Sequence, residues 1–103
     1  MTSDIVQEFN DDMIQIYHRA KKECHYNATY FLRMVSNHGG IDTAKILLSS
    51  EGPQYGFEKL WECGRLDLTV EALVRQPKYS SLFTVPEIQA AEKRLKDYGY
   101  ELK

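Results

Sequence analysis

The segment 56–69 places the end of one helix and the start of another within a few residues. Phe57, Leu60 and Trp61 fall at i, i+3 and i+4, the spacing of one buried helical face. Gly64 favours a helix end there, because glycine accepts the left-handed backbone conformation. An aspartate and a threonine just beyond it can cap the next helix. This arrangement predicts short helices joined by tight turns.

The longest predicted helix spans residues 4–24, and Ser3 or Asp4 can cap its start. Apolar residues recur along it at steps of three and four and form one stripe: Ile5, Phe9, Met13, Ile16, Ala20 and Cys24. A stripe of this kind packs against other helices. We expect it to be buried within its own domain, although it is long enough to serve a homodimer.

The last predicted helix, at 85–98, has the clearest start signal. Thr84 and Glu87 are spaced as a capping box, and Pro86 lies in the first turn, where its missing N–H costs little. Its predicted buried stripe is Val85, Ile88, Ala91, Leu95 and Tyr98. Because no segment alternates like a strand, the sequence predicts an all-α fold. We expect one domain over residues 1–103, with five or six short helices in orthogonal or bundle-like packing.

Composition limits the classes of function. The chain has 103 residues and a net charge of −2, which suits a single core and disfavours nonspecific binding to nucleic acid. It has neither an apolar run of transmembrane length nor a signal peptide, so a cytoplasmic protein without membrane contact is expected. Cys24 and Cys63 are accordingly expected to be reduced thiols.

Three segments, at 26–48, 56–74 and 82–100, resemble a family of small, mostly bacterial hypothetical proteins. The motifs that carry the resemblance are LWExGRLDLTVEALV and, near the end, RLxxYGY. The resemblance covers about residues 9–100 and implies one compact unit. It implies no activity, cofactor or catalytic residue.

Catalytic and metal-binding signatures are not recognisable in the sequence. His18, Cys24, His25, His38 and Cys63 are suitable ligand types, but their spacing fits no zinc signature. A nucleophile elbow and a phosphate loop are also missing from the pattern. We therefore expect a protein that is not an enzyme and uses neither a metal nor a cofactor.

The leading functional hypothesis is a small adaptor or regulatory module that binds an unknown protein partner, as a monomer or homodimer. Its candidate contact residues are Trp61, Arg65, Asp67, Tyr98 and Tyr100, because Trp, Tyr and Arg concentrate in interface hot spots. The simpler interpretation, which we favour for Trp61, is that it anchors the core while Arg65 and Asp67 join a helix end to the following cap.

The alternative hypothesis is a nucleic-acid binder of the helix-turn-helix kind within residues 28–50. Helices predicted at 28–37, capped by Asn27, and at 42–49 would flank a glycine turn at 38–41. The residues offered to the nucleic acid would be Arg33, Thr43, Lys45 and Ser49. The second helix is short and carries a single basic residue, whereas recognition helices usually present Arg, Asn or Gln.

Overall fold

The computed structural model describes residues 4–49 and 55–101, and this part of the chain is helical without strands. The α-helices are α1 (Asp4–Cys24), α2 (Thr29–His38), α3 (Gly40–Leu48), α4 (Tyr55–Glu62), α5 (Val70–Val74) and α6 (Val85–Asp97). Two 3₁₀ segments, Leu66–Leu68 and Pro77–Leu82, connect the later helices. The predicted all-α class is confirmed. The predicted cap Ser3 and most of the 49–54 loop lie outside the described residues.

The main core forms where α1 packs against α2, α3 and α5, with α6 closing over α3 and α5. Phe9 and Met13 of α1 lie at its centre, fully buried. Tyr79, from the second 3₁₀ segment, meets Phe9 edge to face at 4.9 Å between ring centroids. The Tyr79 hydroxyl donates a hydrogen bond to Asp12, so this buried ring satisfies its polar end on α1.

The start of α2 differs from the prediction. Ala28, and not Asn27, is the N-cap residue, and no side chain caps this helix. The Asn27 side chain instead accepts a hydrogen bond of 3.1 Å from the Tyr17 hydroxyl. A contact with α1 has therefore replaced the local cap.

The boundary between α2 and α3 is tighter than predicted, because Gly39 alone separates the two helices. Gly40 begins α3 two residues early, and its N–H donates to the Asn10 side chain at 2.8 Å. A Cβ atom at Gly40 would lie 3.1 Å from the Asn10 Cα atom, so glycine permits the close approach of α3 to α1.

The capping box that starts α6 is confirmed. The Thr84 hydroxyl accepts from the Glu87 N–H, and the Glu87 carboxylate accepts from the Thr84 N–H. Val85 is not part of the buried stripe, since 65% of its surface is exposed. It occupies the first helical position, ahead of the buried Ala91 and Leu95.

Cys24 and Cys63 form a disulfide with a Cα–Cα distance of 5.9 Å. The prediction of two reduced thiols is therefore wrong for this structure. The bond joins the last residue of α1 to the residue that follows α4. Nothing in the local sequence signals this pairing, since 39 positions separate the two cysteines.

Candidate protein-binding surface

Helix α4 carries the Trp residue on its outer side. Phe57 and Leu60 are buried and form the narrow inner face of this eight-residue helix. Trp61 is 46% exposed, so the interpretation of Trp61 as a core anchor is wrong. An i, i+3, i+4 pattern indicates a common side of the helix, but it does not set how far the neighbouring elements cover that side.

The exposed tryptophan is held by an aromatic partner from the end of α6. The Tyr98 ring meets the Trp61 ring edge to face at 5.2 Å and the Phe57 ring at 5.0 Å. The Tyr98 hydroxyl donates a 3.2 Å hydrogen bond to the Glu58 carboxylate. Partial burial raises the pKa of Tyr98, and the bond to Glu58 raises it further. These contacts hold the Tyr98 ring against α4, between Phe57 and Trp61.

Two acidic residues of α4 lie close in sequence to Trp61. Glu58 and Glu62 are both exposed, and they stand four residues apart on one side of α4. Trp61 lies between them in sequence, three residues after Glu58. We call Trp61, Tyr98, Glu58 and Glu62 the Trp61 surface.

Arg65 and Asp67 form a separate cluster. The Arg65 guanidinium donates to both Asp67 carboxylate oxygens, at 3.0 and 3.1 Å, and also to Glu23. The bond from Arg65 is the main reason that the pKa of Glu23 is lowered. The Arg65–Asp67 pair lies between the end of α4 and the start of α5, as the simpler interpretation expected. The bond to Glu23 also joins this segment to the end of α1, which was not predicted.

Tyr100, the remaining candidate, packs against a small buried cluster of Phe57, Leu66 and Leu95, as does Tyr98. Its backbone N–H donates to the Leu95 carbonyl at 2.9 Å. Among the candidate residues, the structure therefore brings together the aromatic ones and leaves Arg65 and Asp67 to an intramolecular ion pair.

The residues of the nucleic-acid alternative lie in a different region. Thr43 is fully buried. Lys45 forms a 2.8 Å ion pair with Glu87 and lies over the Phe83 ring, and the Ser49 hydroxyl donates to the Ile46 carbonyl. Arg33 is exposed on α2. Thr43, Lys45 and Ser49 are thus buried or bonded within the domain.

A buried ion pair between Glu71 and Arg94 is a polar feature of the domain that the sequence does not predict. Glu71 is 4% exposed and accepts a 3.0 Å bond from Arg94. Arg94 also donates to the carbonyls of Leu47 and Leu48, at 3.0 and 3.2 Å, and so satisfies the end of α3. Burial raises the pKa of Glu71. In the sequence, Glu71 is typical of an exposed acidic residue in a first helical turn, so no local signal identifies the pair.

Within residues 4–49 and 55–101, no group of three or more His, Cys, Asp or Glu side chains could hold a metal ion. No helix in these ranges combines the length and apolarity needed to cross a membrane. Comparison of the chain with family models, curated proteins and solved structures gave no match.

Proposed function

We propose that the chain is a non-enzymatic adaptor or regulatory module that binds a protein partner through the Trp61 surface. The observation that carries this proposal is the half-exposed Trp61, held in place by Tyr98. Tryptophan and tyrosine are among the residues that dominate binding energy at interfaces. A contact surface whose rings are already ordered loses little side-chain entropy when the partner binds.

The charge of the surface indicates the chemistry of the partner. Glu58 and Glu62 offer exposed carboxylates one turn apart on the side of α4 next to Trp61. An Arg or Lys side chain can lie over an indole ring and reach a neighbouring carboxylate at the same time. The partner is therefore a protein segment that carries Arg or Lys beside an apolar side chain.

The experiment selects 12-residue peptides from a random displayed library on the purified protein. Synthetic peptides from the selection are then titrated while the fluorescence of Trp61, the single tryptophan, is recorded. We expect selected peptides to be rich in Arg and Lys, and the fluorescence to change with saturation. Measured by calorimetry, peptide binding to Trp61→Ala should be at least about tenfold weaker, as expected when a hot-spot residue is removed.

Tyr30→Ala is the matched control, since Tyr30 is an exposed aromatic residue on α2. It should leave the affinity within about twofold, like most truncations outside a hot spot. Binding that survives Trp61→Ala, or selected peptides without basic residues, would contradict the proposal. The Trp61 surface could instead bind a second copy of this chain, and sedimentation of the free protein tests this. A dimer that is lost in Trp61→Ala would assign the surface to self-association.

The nucleic-acid alternative is tested by titrating labelled duplex DNA at low salt. Binding that falls steeply with salt and is lost in Lys45→Glu would favour residues 28–50 as the functional surface. The same titration in Trp61→Ala separates the two hypotheses.

The cytoplasmic location stays a prediction. Disulfides persist mainly in oxidising compartments, so the oxidation state of the Cys24–Cys63 pair in cells tests this location directly.

A further inference from the structure

A cavity of about 220 Å³ lies between α2 and α4, with α1 and α5 on its other sides. Among the described elements, α4 packs chiefly against the 3₁₀ segment Leu66–Leu68. The walls are mainly apolar and include Ile16, Phe31, Met34, Phe57, Leu60 and Val70. Cavities between the helices of a small helical domain are common sites for ligands.

Two polar side chains of the cavity wall, Thr69 and Glu71, are already satisfied within the domain. The Thr69 hydroxyl donates to the Leu66 carbonyl at 2.7 Å and accepts from the Ala72 N–H at 3.1 Å. The Glu71 carboxylate is paired with Arg94, so the charge at this end is balanced. A charged ligand would have to lose its hydration without gaining a counter-ion. The cavity therefore favours an uncharged, mainly apolar molecule.

The volume of the cavity and the side chains of its walls narrow the class of ligand. A cavity of about 150 Å³ lined by apolar side chains accommodates benzene. The present cavity is about half as large again, so it suits a ligand of roughly nine or ten non-hydrogen atoms. Phe31 and Phe57 supply aromatic rings to the wall, and Met34 supplies a polarisable thioether. We propose that the cavity between α2 and α4 binds a small uncharged aromatic molecule of two fused rings.

The test titrates indole into the uniformly ¹⁵N-labelled protein and records amide chemical shifts. Saturable shifts should cluster at lining positions such as Met34, Leu60 and Val70, with a Kd on the order of 0.1–1 mM for a ligand of this size. Indole-3-acetate carries the same rings with a negative charge, and it should bind at least about tenfold more weakly because its carboxylate must be desolvated.

Ala28→Leu is the variant that fills the cavity, since Ala28 is a buried lining residue. Indole binding should be lost while the remaining amide spectrum stays dispersed. Val85→Leu adds a similar apolar group at an exposed site away from the cavity and should leave binding unchanged. If Ala28→Leu fails to fold, the positions of the shifts in the wild-type protein decide the question.

Two results would overturn the inference. One is the lack of saturable shifts up to the solubility limit of indole. The other is a set of shifts centred on Trp61 and Tyr98 that persists in a folded Ala28→Leu protein, since this would place the ligand on the Trp61 surface. Peptide binding at that surface is measured separately, so either site can fail without the other.

Discussion

Reduction of the Cys24–Cys63 disulfide should remove a large part of the stability of this domain. The bond closes a loop with a sequence separation of 39 residues, and that loop contains α2, α3 and α4. A cross-link of this length lowers the entropy of the unfolded chain by an amount worth about 4 kcal/mol at 25 °C. The ion pair between Arg65 and Glu23 spans the same junction, but it is solvent-exposed and contributes little.

The assay is urea unfolding of the oxidised protein and of the protein reduced with a phosphine. A loss of about 4 kcal/mol should lower the urea midpoint by about 2–4 M and the Tm by roughly 15–30 °C. The double variant Cys24→Ser/Cys63→Ser should reproduce the reduced protein. Adding the phosphine to this variant should change nothing, which controls for other effects of the reductant.

Mass spectrometry and thiol titration confirm the oxidation state of each sample. If verified oxidised and reduced proteins unfold within about 1 kcal/mol of each other, the loop-closure reasoning is wrong for this chain. In that case the unfolded state would already hold the ends of α1 and α4 together, or the native state would relax when the bond opens.

Three further predictions concern caps and ion pairs. Thr84→Ala should cost about 1 kcal/mol in urea unfolding, because the capping box at the start of α6 loses one hydrogen bond; an unchanged midpoint would contradict this role. Arg94→Met should cost about 3–5 kcal/mol at pH 7, because it leaves the Glu71 carboxylate buried without its cation. This loss of stability should shrink as the pH falls toward 4.5, the ordinary pKa of Glu71. The folded-state pKa of Glu71 is raised, so acid protonates the carboxylate and removes the buried charge. A loss of stability that grows as the pH falls would refute this explanation. Lys45→Met should be less stable than wild type by less than about 1 kcal/mol above pH 5. The bond from Lys45 lowers the folded-state pKa of Glu87, so the difference should vanish as the pH falls below 4.5 and Glu87 is protonated. A difference that persists at about pH 2 would contradict this role of the ion pair.

Several helix ends could be predicted from the sequence because local chemistry sets them. The capping box at Thr84 and the glycines with positive φ at Gly39, Gly64 and Gly99 act within a few residues of the helix ends that they define. Asn27 was assigned wrongly because a tertiary partner, the Tyr17 hydroxyl, competes for its side chain. Local signals are therefore reliable where no distant group offers an alternative hydrogen bond.

The candidate surface could be predicted only in part. The residue types of Trp61 and Tyr98 indicated an interaction surface, but their contact depends on where the end of α6 meets α4. The buried pair of Glu71 and Arg94 has a sequence separation of 23 residues. Both features arise from packing between helices. The periodicity along a single helix does not predict which residues of two helices will meet.

The disulfide lies where it can stabilise α4, the short helix that carries Trp61. A helix of eight residues is marginal in water on its own, so its order has to come from packing or from a covalent link. The α4 helix buries Phe57 and Leu60 but borders the cavity on the side of α2, where packing is incomplete. The disulfide holds the chain just beyond the end of α4. The cross-link therefore stabilises the element that carries Trp61 outside and lines the cavity inside, and this is how so short a helix can support two candidate sites.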